Sequence, residues 1–290
     1  MNLKRFTAGA LTVAFSATSL VACGSGDDEG TITIGTTDSQ KKAWTVFQQK
    51  AEAAGIDLKV EPYTDYTTPN RSLDEGQIDV NLFQHIKFLG EYNVGANSDL
   101  VPIASTEIIP LALYSKDVKS VDDIKKGAEV AVPNDPSNQG RAISVLVQAG
   151  LLKLKEDGIL TPSPADIDEA ASKVKVVPVD PVQTTTAYGE GKLAVINNTF
   201  LERASIDPNT ALFQDDPNTA EAEPYINVFV VKADRKDDPE IAKLAKLWHD
   251  PEVQKAVDED SKGTSVAVDK SADELQAILD RVEKQQREQK

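Results

Sequence analysis

The pattern of apolar and polar positions near the start of the chain predicts a strand, a helix and a second strand. Residues 31–35 alternate between polar and apolar side chains, as a half-buried strand does. Apolar residues then recur at helical spacing from 41 to 54, and a second strand pattern covers 56–62. Such a parallel βαβ unit binds ligands beyond the carboxyl ends of its strands. The segments 36–40 and 63–70 are therefore expected at a ligand-binding edge.

The stretch from 65 to 85 mixes aromatic, amide and imidazole groups around a predicted helical turn and strand. Burying such polar groups costs free energy unless they are hydrogen-bonded or face a cleft. We therefore expect this stretch to form one wall of a ligand site.

A weak internal repeat predicts two similar α/β lobes. Residues 75–81 (Glu-Gly-Gln-Ile-Asp-Val-Asn) are echoed at 190–197 (Glu-Gly-Lys-Leu-Ala-Val-Ile-Asn), and each copy is followed by a proline-led apolar strand, at 110–115 and 224–230. These two strands are natural crossovers, with a hinge near 113–115 and 227–229. The predicted limits are 31–112 plus 230–290 for lobe one and 113–229 for lobe two.

In lobe two, an apolar strand at 129–132 runs into a turn at 133–141 (Pro-Asn-Asp-Pro-Ser-Asn-Gln-Gly-Arg) that opens a helix. Free backbone N–H groups at a helix N-terminus favour an anion. The guanidinium of Arg141, in the first turn, can form a forked pair with a carboxylate. These residues alone leave open a surface cap or an ion pair with Asp135.

The N-terminal region predicts secretion and lipid anchoring. Two basic residues precede an apolar run at 6–22, which ends in Leu-Val-Ala and Cys23, the only cysteine of the chain. This ending resembles the lipobox of bacterial lipoproteins, which implies that 1–22 is a cleaved signal peptide and that Cys23 carries acyl chains, palmitate among them. Each buried methylene contributes about 0.8 kcal/mol, so two or three chains hold a protein firmly. We expect 23–30 to tether the protein to the extracytoplasmic face of the cell membrane.

Charge and cysteine content narrow the class of protein further. The chain has 31 basic and 47 acidic residues, and removal of Lys4 and Arg5 with the signal peptide leaves 29 against 47, a net charge near −18. Nucleic acid is therefore an improbable partner, and the excess acid is interpreted as a solubility feature. Because Cys23 is the only thiol, no disulfide is expected, and a hydrophobic core must supply stability.

The sequence predicts no enzyme, no cofactor and no metal site. There are two histidines, His85 and His249, and the usual zinc, thiol, serine-elbow and phosphate-loop patterns lack parts. His85 with Asp65 or Asp79 is a conceivable acid/base pair. A neutral His85 that serves as a pocket wall or hydrogen-bond donor is the favoured interpretation.

Five ordered motifs resemble the methionine-binding lipoproteins of ABC importers, the NlpA family, over residues 31–260. The motifs are Asp65-Tyr66-x-x-Pro69-Asn70, Gly76-x-Ile78-Asp79-x-Asn81-x-Phe83-Gln84-His85, Tyr114-Ser115-Lys116, Pro133-Asn134-Asp135-Pro136-x-Asn138-x-Gly140-Arg141 and Tyr225-x-Asn227. The resemblance implies an α/β, two-lobe periplasmic-binding-protein (Venus-flytrap) fold with mixed sheets flanked by helices and two crossover strands. It also implies a monomer that binds methionine, L-methionine being favoured, and delivers it to an ABC permease with its ATPase subunits.

The resemblance further implies eight ligand-binding residues. Arg141 would pair with the ligand carboxylate. The amide contacts to the carboxylate and ammonium would come from Asn138, Asn197 and Asn227. The aromatic box around the thioether, whose sulfur favours aromatic walls, would comprise Tyr66, Phe83, His85 and Tyr114.

Three segments depart from the family pattern. Residues 36–40 lack the usual glycine-containing loop, which makes Asp38 an alternative contact for the ligand ammonium. Residues 181–186 lack the Leu-Pro-Arg segment that is common in the family. The chain beyond Gly263 is longer and more polar than is usual in the family. The first departure leaves D-methionine, an oxidised form of methionine or a short methionine peptide open as ligands. The alternative within the same class is a receptor for another small amino acid or peptide. From another functional class, the alternative is a surface lipoprotein that acts as an adhesin or scaffold. An envelope hydrolase that uses His85 is the least favoured candidate function.

Overall fold

A six-stranded mixed sheet forms the larger part of the fold. We describe residues 30–288 of a computed structural model; the predicted signal peptide and Cys23 lie outside this range. The strands of this sheet are β1 (Ile32–Thr36), β2 (Leu58–Pro62), β3 (Val80–His85), β4 (Val101–Ile108), β10 (Ile226–Val231) and β11 (Val266–Ala267). Their spatial order is β11-β4-β10-β3-β1-β2, with β10 antiparallel to both of its neighbours.

A second, five-stranded sheet is built from the middle of the chain. Its strands are β5 (Ala112–Tyr114), β6 (Ala128–Pro133), β7 (Val174–Val179), β8 (Leu193–Ile196) and β9 (Phe213–Gln214), in the order β7-β6-β8-β5-β9. The chain leaves the larger sheet after β4, enters the smaller one at β5 and returns at β10. The predicted α/β fold with two mixed sheets is therefore confirmed.

Helices cover these sheets. They are α1 (Lys42–Ala53), α2 (Pro69–Asp74), α3 (Ile86–Ala96), α4 (Pro136–Gln148), α5 (Gln183–Gly189), α6 (Asn198–Arg203), α7 (Pro239–Lys246), α8 (Pro251–Ser261) and α9 (Ala272–Glu288). The predicted βαβ unit is present, because β1 and β2 are parallel and α1 lies between them in the chain. Among residues 30–288, no helix is both long and apolar enough to cross a bilayer.

The larger sheet is packed on both faces. On one face, Trp44 and Phe47 of α1 meet Phe229 and Trp248, with ring centroids 5.1–6.1 Å apart. On the other face, α3 and α9 pack closely at Gly90, where an added Cβ would lie 2.7 Å from the Cγ1 atom of Val282. The first of these faces includes side chains of β1 and β3, and the loops at the ends of these strands contribute to the candidate site.

The predicted lobe limits stay a prediction. The chain enters the smaller sheet at Ala112, the first residue of β5, and re-enters the larger sheet at Ile226, the first residue of β10. The first residues of β10 therefore pair within the larger sheet. The limit at 230 proposed from the repeat falls inside this strand.

Candidate ligand-binding cleft

A cleft of about 960 Å3, open solvent at its mouth included, lies where both sheets meet. Seven of the eight predicted ligand-binding residues line it, namely Tyr66, Phe83, His85, Asn138, Arg141, Asn197 and Asn227. The first crossover also contributes, through Ile109, Pro110 and Leu111. Residues from five separate parts of the chain therefore share one site.

Tyr114 is the exception. It is only 3% exposed and packs beside Phe200 in the core of the smaller sheet, with its hydroxyl 3.5 Å from the carbonyl oxygen of Pro208. Successive side chains of a strand point to opposite faces, and Tyr114 in β5 points to the face that α6 covers. Its predicted place in the aromatic box is not supported by this position.

Four rings form an aromatic wall, which we define as Tyr66, Phe83, His85 and Phe88. Phe83 and His85 are two positions apart in β3 and so share a face, and Phe88 follows in the first turn of α3. The ring centroids of Tyr66, Phe83 and Phe88 lie 5.8–6.2 Å from one another, and Phe200 approaches Tyr66 to 5.2 Å. Phe83 and Phe88 are only half-buried, which leaves ring surface for a ligand.

Phe88 lines the cleft and is a site residue that the sequence reasoning missed. Phe88 lies one helical turn after His85, a spacing that could have identified it. Phe200 of α6 supports the ring of Tyr66 from the core and is not among the residues that line the cleft.

His85 is neutral and its tautomer is fixed by its contacts. Its Nδ1 atom accepts a hydrogen bond from the backbone N–H of Phe88 at 3.1 Å, so the proton resides on Nε2, which donates to Oδ1 of Asn138 at 3.2 Å. Burial, together with the charge of Arg141, lowers the pKa of His85 to about 3. These contacts agree with the favoured role of a neutral donor.

The acid/base alternative for His85 has no geometric support. Asp65 accepts hydrogen bonds from the backbone and hydroxyl groups of Thr67 and Thr68. Asp79 accepts from the N–H of Thr33 and pairs with a surface arginine. Neither carboxylate contacts the imidazole.

Two amides and a guanidinium form a polar wall, which we define as Asn138, Arg141 and Asn197. Asn138 is held on all sides: its Oδ1 accepts from His85 and from Nδ2 of Asn197 at 2.9 Å, and its Nδ2 donates to Asp135 at 2.8 Å. Asn227 donates to the carbonyl oxygen of Glu107 at 3.0 Å. The wall is therefore fixed before any ligand arrives.

Two buried acceptor atoms that belong to residues lining the cleft have no hydrogen-bond donor among the described residues. They are Oδ1 of Asn197 and Oδ1 of Asp38. The other oxygen of Asp38 accepts from Thr199 and lies 3.3 Å from Nζ of Lys41. Buried acceptors are normally satisfied, so both atoms are suited to a ligand that brings N–H donors.

Arg141 has a different partner from the one its sequence neighbourhood suggested. Its Nε donates to Asp215 Oδ2 at 2.6 Å, and its Nη2 donates to Asp215 Oδ1 at 3.2 Å and to the carbonyl oxygen of Ile109 at 3.0 Å. The guanidinium carbon lies 4.1 Å from the ring centroid of Tyr225. The alternative of a pair with Asp135 is wrong, because Asp135 caps α4 by accepting from the N–H of Asn138.

The chemistry of the site is that of binding. No group of three or more His, Cys, Asp or Glu within 30–288 could hold a metal ion. One side of the cleft offers aromatic surface, and the other offers a guanidinium, fixed amides and free acceptor oxygens. A zwitterion with an apolar side chain matches this division.

Comparison with known proteins decides the family. The family model described as NlpA lipoprotein matches residues 32–268. The chain belongs to the NlpA lipoprotein family. Its relatives include the D-methionine-binding lipoprotein MetQ of Escherichia coli (strain K12), which is 32% identical over 272 residues that cover 92% of this chain and 99% of the relative.

Solved structures similar to this chain include binding proteins. Protein PG110 from Staphylococcus aureus has 37% identity and a TM-score of 0.82, covering 87% of this chain and 99% of its own. A nutrient binding protein from Burkholderia cenocepacia, solved bound to methionine, has 34% identity and a TM-score of 0.75, and the match covers 81% of this chain and 99% of that protein's chain. The predictions of the NlpA family and of a binding protein rather than an enzyme are confirmed.

Proposed function

We propose that this chain is the lipid-anchored, extracytoplasmic methionine receptor of an ABC importer. It closes its two lobes on methionine and presents the closed form to a permease with ATPase subunits. The observation that carries the proposal is one cleft in which an aromatic wall faces a guanidinium and fixed amides. Relatives named for methionine binding support the choice of ligand.

Each part of methionine has a matching partner in the cleft. The carboxylate pairs with the guanidinium of Arg141, since charge-assisted hydrogen bonds are stronger than neutral ones. The ammonium donates to the free oxygens of Asn197 and Asp38. The thioether lies against Phe83 and Phe88, and a good sulfur–aromatic contact contributes about 0.3–1.5 kcal/mol.

Closure is proposed to follow from contacts that already bridge the cleft. Nζ of Lys41 donates to Oδ1 of Asn198 at 2.9 Å, and Nε2 of His85 donates to Asn138. Each of these bonds joins one proposed lobe to the other, so they exist only when the two lobes are near each other. A ligand that contacts both lobes therefore shifts the population of the monomer toward the closed form without chemical change to the ligand.

Calorimetry tests the ligand. The chain without residues 1–23 is unfolded, freed of bound ligand and refolded, and it is then titrated with L-methionine, D-methionine, methionine sulfoxide and a methionine dipeptide. We expect L-methionine to bind most tightly, with a dissociation constant of about 1 μM or lower. Tighter binding of another of these ligands rejects the preference for L-methionine, and no binding of any amino acid rejects the receptor.

The anchor needs a separate test, because Cys23 lies outside the described residues. Replacement of Cys23 by alanine should release the protein from the membrane fraction, since the acyl chains are its proposed attachment. Continued attachment of the Cys23→Ala protein would contradict lipid anchoring.

A further inference from the structure

The guanidinium of Arg141 lies between the two crossovers of the chain. Its Nη2 donates to the carbonyl oxygen of Ile109, in the first crossover between β4 and β5. Its guanidinium carbon lies over the ring of Tyr225, which directly precedes β10 in the second crossover. The side chain proposed to bind the ligand therefore contacts both segments that must bend during closure.

Asp215 joins this guanidinium to the first crossover. Both of its oxygens accept from Arg141, and Oδ1 also accepts from the backbone N–H of Leu111 at 2.9 Å. The two side chains are only 6% and 13% exposed, so water competes little for these bonds. Asp215 is itself held, because it follows β9, which pairs with β5, and its N–H donates to the carbonyl oxygen of Leu111.

The hydrogen-bond inventory of Arg141 shows which donors are left for a ligand. A guanidinium has five N–H donors. The N–H groups of Nε and Nη2 already donate hydrogen bonds to Asp215 and to the carbonyl oxygen of Ile109. No residue of the described range accepts from Nη1, and Arg141 lines the cleft. The Nη1 group is therefore the end that a ligand carboxylate can reach.

We propose that Asp215 is a positioning residue that fixes the guanidinium of Arg141 against both crossovers, so that carboxylate recognition and lobe closure depend on one hydrogen-bond network. The inference rests on the proposed function and adds a residue that never touches the ligand. Without Asp215, the guanidinium loses its bidentate partner and the link to Leu111. It can then turn away from the orientation that points Nη1 at the ligand.

The test compares Asp215→Ala and Asp215→Asn with Asp216→Ala, all in the chain without residues 1–23. Asp216 is the matched control because it is an exposed aspartate next in sequence, and among the described residues its side chain is hydrogen-bonded only to Asn218. Calorimetry gives the methionine affinity, and small-angle X-ray scattering gives the decrease in radius of gyration at saturating methionine. A purely structural role would lower the melting temperature without changing the decrease seen in the folded, saturated protein.

We expect Asp215→Ala to bind methionine at least about tenfold more weakly and to compact less at saturation, with Asp215→Asn intermediate and Asp216→Ala like wild type. Unchanged affinity and compaction overturn the inference. Tighter binding overturns it too, because Asp215 would then merely compete with the ligand for Arg141.

If Asp215→Ala does not fold, Asp215→Asn decides by the same criteria. A wild type that binds no methionine overturns the proposed function as well, whereas failure of the variants alone overturns only this inference.

Discussion

The two walls of the cleft are built in different ways. The aromatic wall comes from one stretch, 66–88, and is held by local contacts such as the bond from the N–H of Phe88 to His85. The polar wall is assembled from distant parts of the chain, and Arg141 depends on a residue 74 positions away. Apolar contact is non-directional and tolerates small displacements, whereas a hydrogen bond weakens steeply with angle. The polar wall therefore needs the more extensive support.

One bond joins the two walls directly. Nε2 of His85 donates to Asn138, which in turn holds Asn197. The division of labour between the walls can be tested by breaking each one separately.

Loss of the polar wall's charge should have the largest effect. Arg141→Ala removes the partner of the ligand carboxylate and leaves the buried Asp215 without its counter-charge, so methionine affinity should fall about 100-fold or more, or about 3 kcal/mol. Calorimetry measures this change. Arg71→Ala, an exposed arginine on α2, is the matched control and should bind as wild type does. A loss below about threefold in Arg141→Ala would place the carboxylate elsewhere.

A change in the aromatic wall should have a smaller and side-chain-specific effect. Phe83→Leu keeps an apolar surface but removes the ring, so methionine affinity should fall by about two- to tenfold, the range expected for one sulfur–aromatic contact. Norleucine, which carries a methylene in place of the sulfur, is the control ligand, and its affinity should fall less than that of methionine in Phe83→Leu. An equal loss for both ligands, measured by competition calorimetry, would mean that Phe83 contributes shape alone.

The contact between α3 and α4 should give the smallest effect, and it depends on pH. Glu91 on α3 accepts from the N–H of Ser137 on α4 at 3.0 Å. It also interacts with the charges of Asp135, which caps α4, and of Lys87 on its own helix. Burial and the charge of Asp135 raise the pKa of Glu91 to about 7, while that of Lys87 is lowered by burial to about 8. Because Glu91 is only half-buried, solvent screens much of this interaction.

The sign of the pH effect follows from linkage. A pKa that is higher in the folded than in the unfolded state gives stability that is fully present below the unfolded pKa, about 4.5 for glutamate, and lost as pH rises through about 7. The free energy of unfolding of wild type relative to Glu91→Gln should therefore decline between pH 4.5 and 7, as measured by urea unfolding. Lys87 stays charged across this window. A difference that does not change with pH would show that Glu91 does not titrate there.

Much of the site could be predicted because its motifs are local. Seven of the eight ligand-binding residues proposed from the sequence line the cleft. Tyr114 is the exception because its motif gives the residue but not the face of β5 to which it points. Asp215 was missed, since it reaches Arg141 only through the packing of the smaller sheet.

The sequence by itself determined the α/β class and the parallel unit around α1, because periodicity and short-range spacing act along the chain. The family, and with it three members of the aromatic wall, Tyr66, Phe83 and His85, came from the resemblance of its ordered motifs to known proteins. Only the tertiary structure decided that Asp215 rather than Asp135 pairs with Arg141, that His85 donates to Asn138, and that one guanidinium contacts both crossovers. Such contacts join residues far apart in the chain, and their geometry is set when the two sheets pack.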